Sequence, residues 1–421
     1  MNTSSDSGAV GPLVENLFRR ESARLTAFFV RRLGPARASE AEDIVQETLL
    51  NALQNWRFKG LPDNPTAWLW RAAQNRMIDT IRRDTSRDIG TTALAAEPIA
   101  PAPPPDLPDA ELALLFLCCD PALPRESAIP MTLELACGFG VGEVAGALGE
   151  KPGTISQRLV RARNQWKAAT PELDIERVDL SVRLPAVLNT IYLMLSEGYG
   201  GHHPVRWQRD DICLEATRLA LLLAENRRTA SPVCAALAAL SLFLTARLPA
   251  RIDGEGDLVL LDDQDRSLWR ADLTARAFHW LKQAADGTRE TPYHLMAAIA
   301  ACHAIAPTFD KTDWTIVHQQ YMRLVEIEPE SPYHKLGLAV AALEAVGADT
   351  ALHLLSPLDS DRHLAGSYLL PATRAHVMIR CGRTADARRE LIRAIDLAPS
   401  EQPRAALHRR LATLTQSATL T

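Results

Sequence analysis

The side chains best suited to binding chemistry lie in residues 66–83, where a tryptophan stands among cationic side chains. A helix here would have an apolar stripe of Trp70, Ala73, Met77, Ile78 and Ile81. Its opposite face would carry Trp68, Arg71, Asn75, Arg76, Asp79, Arg82 and Arg83. Such a face could stack an unpaired base on the ring while the arginines hold phosphates. Alternatively, Trp68 folds back over the helix start and the arginines pair with Asp79 and Asp84; periodicity leaves both interpretations open.

A second binding pattern, in residues 140–166, is typical of a helix-turn-helix. A helix over residues 142–148 should end at Gly149, with residues 151–153 as the turn and Thr154 as the cap of the next helix. In that helix Ile155, Leu159, Ala162 and Trp166 should face inward, and Ser156, Gln157, Val160, Arg161 and Asn164 outward, with Arg158 and Arg163 on the flanks. Glutamine and arginine can read adenine and guanine edges in the major groove, so we predict a recognition helix with phosphate-binding flanks. The alternative is an ordinary helical hairpin with a basic surface.

A third pattern, in residues 42–56, has no cationic side chains on its polar face. Helical spacing puts Val45, Leu49, Ala52, Leu53 and Trp56 in the core, and Asp43, Gln46, Glu47, Leu50 and Gln54 on the other face. This second face is either solvated or a docking surface, in which carboxylates and amides surround one exposed leucine.

The sequence offers little for catalysis or metal binding. Asp262, Asp263 and Asp265 could hold a cation, but the EF-hand pattern is absent, and the favoured interpretation is that Asp265 and Arg266 lock a loop that Trp269 anchors in the core. His202, His203, His279, His294 and His303 have no zinc-ligand spacing. No phosphate loop, nucleophile elbow or serine–histidine–aspartate arrangement is seen. We therefore expect no enzyme activity, no cofactor and no metal.

These patterns must be positioned by helices, because alternating strand patterns are nearly absent and helical spacing fills the chain. The 421 residues exceed one compact core, so two or three domains are expected. We expect no apolar run to approach the roughly 18 residues of a membrane span, and seven scattered cysteines fit a reducing compartment. We expect a cytoplasmic protein with no membrane contact. A net charge of −5 suits a subunit of a larger assembly better than a protein that holds DNA alone.

A proline-rich segment divides the helical blocks. Six prolines fall within residues 98–108, which predicts an extended linker. After Pro171 a long Ala/Leu-rich block contains two similar helix starts, at residues 291–294 and 331–334, and two glycine turns, at residues 347–349 and 382–387. The pattern resembles tetratricopeptide repeats of roughly 34 residues.

Three motifs in this order resemble the extracytoplasmic-function (ECF) branch of bacterial RNA polymerase sigma factors. Residues 41–48 resemble the polymerase-docking motif, residues 67–83 the −10 element helix, and residues 153–163 the −35 element helix. The resemblance implies an all-α fold, in which two small helical sigma domains, the second a helix-turn-helix, precede a large helical-repeat-like domain. The expected boundaries are 12–86 for region 2, 87–108 for the linker, 109–170 for region 4 and 171–421 for the extension.

The resemblance also implies roles for individual residues. Contacts with core RNA polymerase fall to Asp43, Gln46, Glu47 and Leu50. Binding and opening of the −10 element fall to Trp68, Arg71, Asn75, Arg82 and Arg83, with a flipped base near residues 58–64. Reading of the −35 element falls to Ser156, Gln157, Arg158, Arg161 and Arg163. The partners are thus core polymerase and promoter DNA, both double- and single-stranded.

Beyond Pro171, residues 192–199 and 261–269 are similar to sigma factors with a fused tetratricopeptide-like domain, although Ser196 stands where that subgroup usually has Asn. The resemblance implies that the extension regulates activity, through a protein or ligand that the sequence does not identify. Two alternatives are a helix-turn-helix regulator with a helical sensory domain, which has no use for the Asp43–Leu50 face, and a helical-repeat scaffold with a vestigial sigma resemblance.

Overall fold

The computed structural model describes residues 7–87, 107–169, 179–201, 207–287 and 289–419. Within these ranges the regular elements are helices, apart from one isolated antiparallel bridge between Ile252 and Leu258. The expected all-α class is confirmed. The greater part of the predicted linker, residues 88–106, lies outside the described residues.

The chain forms two compact units, residues 1–194 and 195–421. The helices that begin in the first unit are α1 (Ser7–Leu33), α2 (Ala38–Lys59), α3 (Pro65–Arg87), α4 (Leu107–Cys118), α5 (Arg125–Leu135), α6 (Val141–Leu148), α7 (Pro152–Ala169) and α8 (Leu180–Gly200). The boundary between the units falls inside α8. The predicted boundary at residue 170 stays a prediction.

Two buried tryptophans organise the first unit. Trp70 of α3 is fully buried and donates from Nε1 to Glu21 Oε2 of α1 at 2.8 Å. Trp166 of α7 donates to the Leu117 carbonyl at 3.2 Å. Each indole thus buries a large apolar ring and still has a partner for its N–H, as buried tryptophans normally do.

The first half of α8 belongs to this packing. The Arg183 guanidinium donates to Asp120 Oδ2 at 2.6 Å and to the Phe116 carbonyl at 3.0 Å. Both charged side chains are largely buried, at 12% and 16% exposure. Loss of one partner of such a pair leaves a carboxylate with poor solvation.

A chain truncated at Thr170 is therefore expected to melt lower than one truncated at Gly201, which keeps Arg183. The lost pair and the uncovered apolar surface should lower the melting temperature by about 5 °C or more. Calorimetry on both truncations measures the difference. Arg183→Ala in the longer chain should reproduce part of it, and equal melting temperatures for the two truncations would contradict the role given to α8.

The second unit continues with helices of similar length. They are α9 (Asp210–Glu225), α10 (Pro232–Ala246), α11 (Ala271–Ala284), α12 (Pro292–Ile305), α13 (Trp314–Ile327), α14 (Pro332–Ala345), α15 (Ala348–Leu355), α16 (Leu369–Arg380), α17 (Thr384–Leu397) and α18 (Glu401–Thr419). From α10 onward most helices pack on their neighbours in sequence. Such nearest-neighbour packing is characteristic of helical-repeat proteins.

The repeated sequence patterns form equivalent helix starts. Thr291 and Ser331 cap α12 and α14: Thr291 Oγ1 lies 2.8 Å from His294 Nδ1, and Ser331 Oγ accepts from the His334 N–H at 3.4 Å. Proline occupies the first turn of both helices, where its missing N–H has no helical partner to lose. Gly347 directly precedes α15.

One expectation about apolar runs was wrong. Residues Pro232–Ala250 are long and apolar enough to cross a membrane, but 83% of this window is buried inside the protein. A core helix passes the same test of length and composition, because it is apolar on all sides.

None of the seven cysteines, all of which lie within the described ranges, forms a disulfide, and five are buried. Burial raises the pKa of Cys119 to about 11, and raises the pKa of Cys118 and of Cys213 as well. These thiols are therefore held protonated and unreactive at neutral pH.

Candidate nucleic-acid interface

Helix α7 presents the predicted recognition surface. Its inward residues Ile155, Leu159, Ala162 and Trp166 are buried, as predicted. Ser156, Gln157, Val160, Arg161 and Asn164 are exposed on the other side. Gly149 ends α6 with a φ of 65°, in the left-handed region that favours glycine.

The start of α7 differs from the prediction. The helix begins at Pro152, so Thr154 lies inside the first turn and is not its cap. Proline is well suited to the first turn, because its fixed φ matches the helix. The turn between α6 and α7 is therefore shorter than the predicted one and leaves out Pro152 and Gly153.

The two flanking arginines of α7 are both engaged within the protein. Arg158 forms an ion pair with Glu150 at 2.7 Å. Arg163 lies between Glu42 of α2 and Glu134 of α5, at 2.8 and 2.7 Å. By contrast, the Arg161 side chain contacts the Gln157 carbonyl at 3.3 Å and is exposed.

Helix α3 has the predicted polar face. Arg71, Asn75, Asp79 and Arg82 are exposed, while Trp70, Ala73 and Met77 are buried and Ile78 and Ile81 are half-buried. The Arg83 side chain lies outside the described residues. Before the helix, Asn64 accepts from the Ala67 N–H at 3.0 Å, which satisfies one of the unpaired donors of the first turn.

The Trp68 ring packs against a neighbouring helix, and base stacking on it stays a prediction. Trp68 is half-buried, and its ring packs edge-on against Trp56 with centroids 5.6 Å apart. Trp56 in turn packs against Phe18 at 5.4 Å. The ring is therefore supported from behind by α1 and α2, and the guanidinium of neighbouring Arg76 pairs with Glu47.

The polar face of α2 is open. Asp43, Gln46, Glu47 and Leu50 are all exposed, and the Leu50 side chain is 57% exposed. The expectation that Leu53 belongs to the core was wrong, because it is 48% exposed. Leu53 lies at the edge of the apolar stripe, about 80° from Val45, where it adjoins Leu50 on the exposed face.

A cleft of about 620 Å³ separates α1 and α2 from the helices of the helix-turn-helix. It is crossed by two arginine–carboxylate contacts, Arg163 to Glu42 and Arg19 to Glu143, the latter at 2.7 Å. Asp43 and Gln46 line one side of it. The predicted docking face and the predicted −35 helix thus share one cleft.

The carboxylates and the arginine in the cleft shift one another's pKa. Burial raises the pKa of the Glu134 carboxyl, and nearby Glu42 acts in the same direction, while the Arg163 guanidinium opposes both. The sequence analysis did not single out Arg19, Glu134 or Glu143. Arg19 and Glu143 are 124 residues apart, and no local pattern pairs Glu134 of α5 with Arg163 of α7.

The acidic segment of the extension is organised by arginines. Asp262 pairs with Arg410 at 2.8 Å, and Asp265 accepts from the Ser267 N–H at 2.9 Å. Arg266 donates to the carbonyls of His303 and Ala306, which agrees with a locked loop. Trp269 is half-buried, so it does not anchor this loop in the core as expected. No cluster of potential metal ligands occurs in the described parts of the chain.

Comparisons with known proteins cover both units. The family described as Sigma-70 region 2 matches residues 17–87, and a family of unknown function, DUF6596, matches residues 183–285. The ECF RNA polymerase sigma factor SigL of Mycobacterium tuberculosis is 30% identical over 177 residues, which are 41% of this chain and 98% of SigL. The uncharacterized protein R00370 of Rhizobium meliloti (strain 1021) is 35% identical over 388 residues, 88% of this chain and 89% of that protein.

Proposed function

The chain belongs to the ECF family of RNA polymerase sigma factors, and from that premise we propose how its surfaces divide the work of promoter recognition. Asp43, Gln46, Glu47 and Leu50 bind core polymerase. The exposed face of α3 with Trp68 binds and helps open the −10 element, and the exposed face of α7 reads the −35 element. The protein acts by binding in the cytoplasm, and the polymerase performs the chemistry.

One observation carries the proposal. The acidic–amide face of α2 and the exposed Gln157 and Arg161 of α7 are borne by one compact unit, each backed by a buried apolar stripe. Glu47 of this face pairs with Arg76 of α3, and the exposed Asp43 and Gln46 beside Leu50 suit a polar-rimmed protein interface. A stand-alone regulator would have no use for it.

Trp68 and its neighbours suit single-stranded DNA. Stacking of a base on an aromatic side chain contributes about 1–3 kcal/mol, and the ring of Trp68 is held in place by Trp56. Arg71 and Asn75, one and two turns further on, are exposed for contacts to phosphates and base edges. Exposed Arg82 continues the cationic side chains along the helix, and the family resemblance assigns Arg83 to the same DNA element.

For the −35 element, Gln157 and Arg161 are the residues with side chains suited to base edges, with Ser156 beside them. Arg158 and Arg163 are assigned to the flanking phosphates. To reach DNA each must leave its present carboxylates, Glu150 for Arg158 and Glu42 with Glu134 for Arg163.

The test is transcription in vitro by core polymerase on a randomised promoter library, with the purified full chain added. Defined start sites that share −35 and −10 sequences are expected only when the chain is present. Failure of the chain to direct core polymerase to any start site would refute the proposal.

Asp43→Ala and Leu50→Ala are expected to leave stability within about 0.5 kcal/mol, because both side chains are exposed. Each should weaken binding to core polymerase about fivefold or more, as truncation of an interface residue does when the residue is central. Fluorescence anisotropy with labelled chain measures the affinity, and exposed Glu126→Ala on α5 is the control. A normal affinity in both variants would remove these residues from the docking face.

We also propose that the extension regulates the activity of the sigma unit. Comparison of the full chain with a chain truncated at Gly201, which keeps α8 whole, tests this. A change in either direction in transcripts per bound polymerase supports regulation, and equal yields contradict it.

A further inference from the structure

Three arginines and three aromatic rings of the extension form a ladder. In order they are Trp207, Arg251, Tyr199, Arg247, Trp269 and Arg266. The Arg251 guanidinium lies 3.4 Å from the Tyr199 ring centroid and 4.7 Å from that of Trp207. The Arg247 guanidinium lies 6.0 Å from the Tyr199 ring and 5.0 Å from the Trp269 ring, with Arg266 5.1 Å from Trp269.

The guanidinium groups of this ladder have uncharged partners. Arg251 donates to the Tyr199 carbonyl and to Gln208 Oε1, and Arg266 donates to backbone carbonyls. Arg247 has one long hydrogen bond, 3.3 Å to Gln264 Oε1. Three positive charges so close together, with Arg251 buried, are costly without a negative charge among them.

The repulsion between these positive charges appears in the pKa values of the arginines and of nearby His303. Burial lowers the pKa of Arg251, of Arg266 and of His303, and the charge of Arg247 lowers all three further. The pKa of His303 falls to about 3, so its ring is neutral at physiological pH. Arg247 thus adds positive charge next to all three groups, and Asp210 and Asp310 act in the opposite direction at Arg251 and Arg266.

Polar atoms of the ladder and of neighbouring His303 lack hydrogen-bond partners. Four buried side-chain atoms here have no hydrogen-bond partner: Tyr199 Oη, Arg247 Nε, Trp269 Nε1 and His303 Nδ1. Arginine and the indole nitrogen can only donate, so they cannot satisfy each other. Buried polar groups in folded proteins nearly always have partners, so the missing partner is an acceptor.

We propose that the ladder is a binding site for the oxyanion of a small ligand, a carboxylate or a phosphate, which accepts hydrogen bonds from Arg247, Trp269 and Tyr199. A negatively charged oxygen would offset the positive charge of the arginines and would accept the hydrogen bonds that the unpartnered groups can donate. Arginine is the side chain that pairs best with either group, since its planar donors match two oxygens at once. The site lies where residues 183–285 match DUF6596, and it is independent of the proposed promoter contacts.

Isosteric variants separate binding from structure. Tyr199→Phe removes only a hydroxyl that has no partner in the free chain, so it should leave the melting temperature of the free protein unchanged or slightly raised. A purely structural hydroxyl would instead lower it. Trp269→Phe removes the indole N–H and keeps an aromatic ring, and Arg247→Gln removes the charge.

The experiment is calorimetric titration of the full chain with inorganic phosphate and, separately, with acetate, at constant chloride. Saturable binding of at least one probe is expected. Tyr199→Phe and Trp269→Phe should each weaken it about tenfold, Arg247→Gln should weaken it more, and exposed Arg227→Gln should not change it. The probe that binds identifies the oxyanion.

The proposal is overturned if neither probe saturates the full chain, or if affinity is the same in all three variants. A lower melting temperature of free Tyr199→Phe would also overturn it, because the hydroxyl would then have a partner already. None of these readouts depends on transcription, so failure here leaves the sigma-factor proposal untouched.

Discussion

Alanine at both Gln157 and Arg161 is expected to abolish −35 preference while the chain still assembles with core polymerase. Each side chain is exposed on α7 and opposite the buried Leu159, so its removal should not disturb the fold. Each lost base contact should cost about 1–3 kcal/mol, or about 5- to 150-fold in affinity. Because the two residues are one helical turn apart and in contact, their losses need not add, but the double variant should lose more than either single variant.

Selection from a library randomised at the −35 element measures this effect position by position. Each single variant should relax the preference at its own bases and leave the −10 preference unchanged. The control is Arg125→Ala, which removes an equal charge from an exposed site at the start of α5. An unchanged −35 sequence in the double variant would assign the readout to other residues.

Arg163→Ala is expected to lower the free energy of unfolding substantially. Its side chain is 27% exposed, and its guanidinium joins two carboxylates, Glu42 and Glu134. Without it, both carboxylates remain close together and poorly solvated. Removal of one partner of a fully buried pair costs about 3–5 kcal/mol, and partial exposure reduces this to about 2–3 kcal/mol of unfolding free energy.

The loss should depend on pH with a defined sign. Burial and Glu42 both raise the pKa of Glu134 in the folded chain, so ionised Glu134 destabilises the fold once Arg163 is gone. The difference between variant and parent should therefore be small below the ordinary pKa of glutamate and should grow as the pH rises through the raised folded value.

Urea unfolding at pH 5 and pH 8 measures the loss of unfolding free energy in Arg163→Ala. Exposed Arg161→Ala on the same helix is the control. Glu134→Gln combined with Arg163→Ala should recover part of the loss at pH 8, because the buried charge is removed as well. A loss that does not change with pH would show that the carboxylate is not the cause.

Local periodicity predicted much of the N-terminal unit from the sequence. The buried stripe of Ile155, Leu159, Ala162 and Trp166 is confirmed because a helix with one apolar face admits a single orientation toward a core. Prediction failed at the edges of such stripes. Leu53 is exposed because the apolar character of a side chain does not decide its burial when it lies on the boundary between faces.

Other features depend on contacts between distant positions. Arg163 carried the same basic signal as Arg161, yet it pairs with Glu42, 121 residues earlier in the chain. The ladder around Arg247 combines side chains from α8, the turn after α10 and the segment before α11, and no spacing in the sequence connects them. The segments around Tyr199 and Trp269 were singled out by resemblance, but the intervening arginine was not.

The burial of most thiols makes site-specific dye labelling of this chain practical. Because burial keeps the Cys118, Cys119 and Cys213 thiols protonated, they should not react with a maleimide dye in the folded chain. After Cys302 and Cys381, which are half-buried, are replaced by serine, cysteines introduced at exposed Gln54 and Gln165 would be the favoured attachment points. Energy transfer between two such dyes would measure the span from α2 to α7 in single molecules, before and after the polymerase is added.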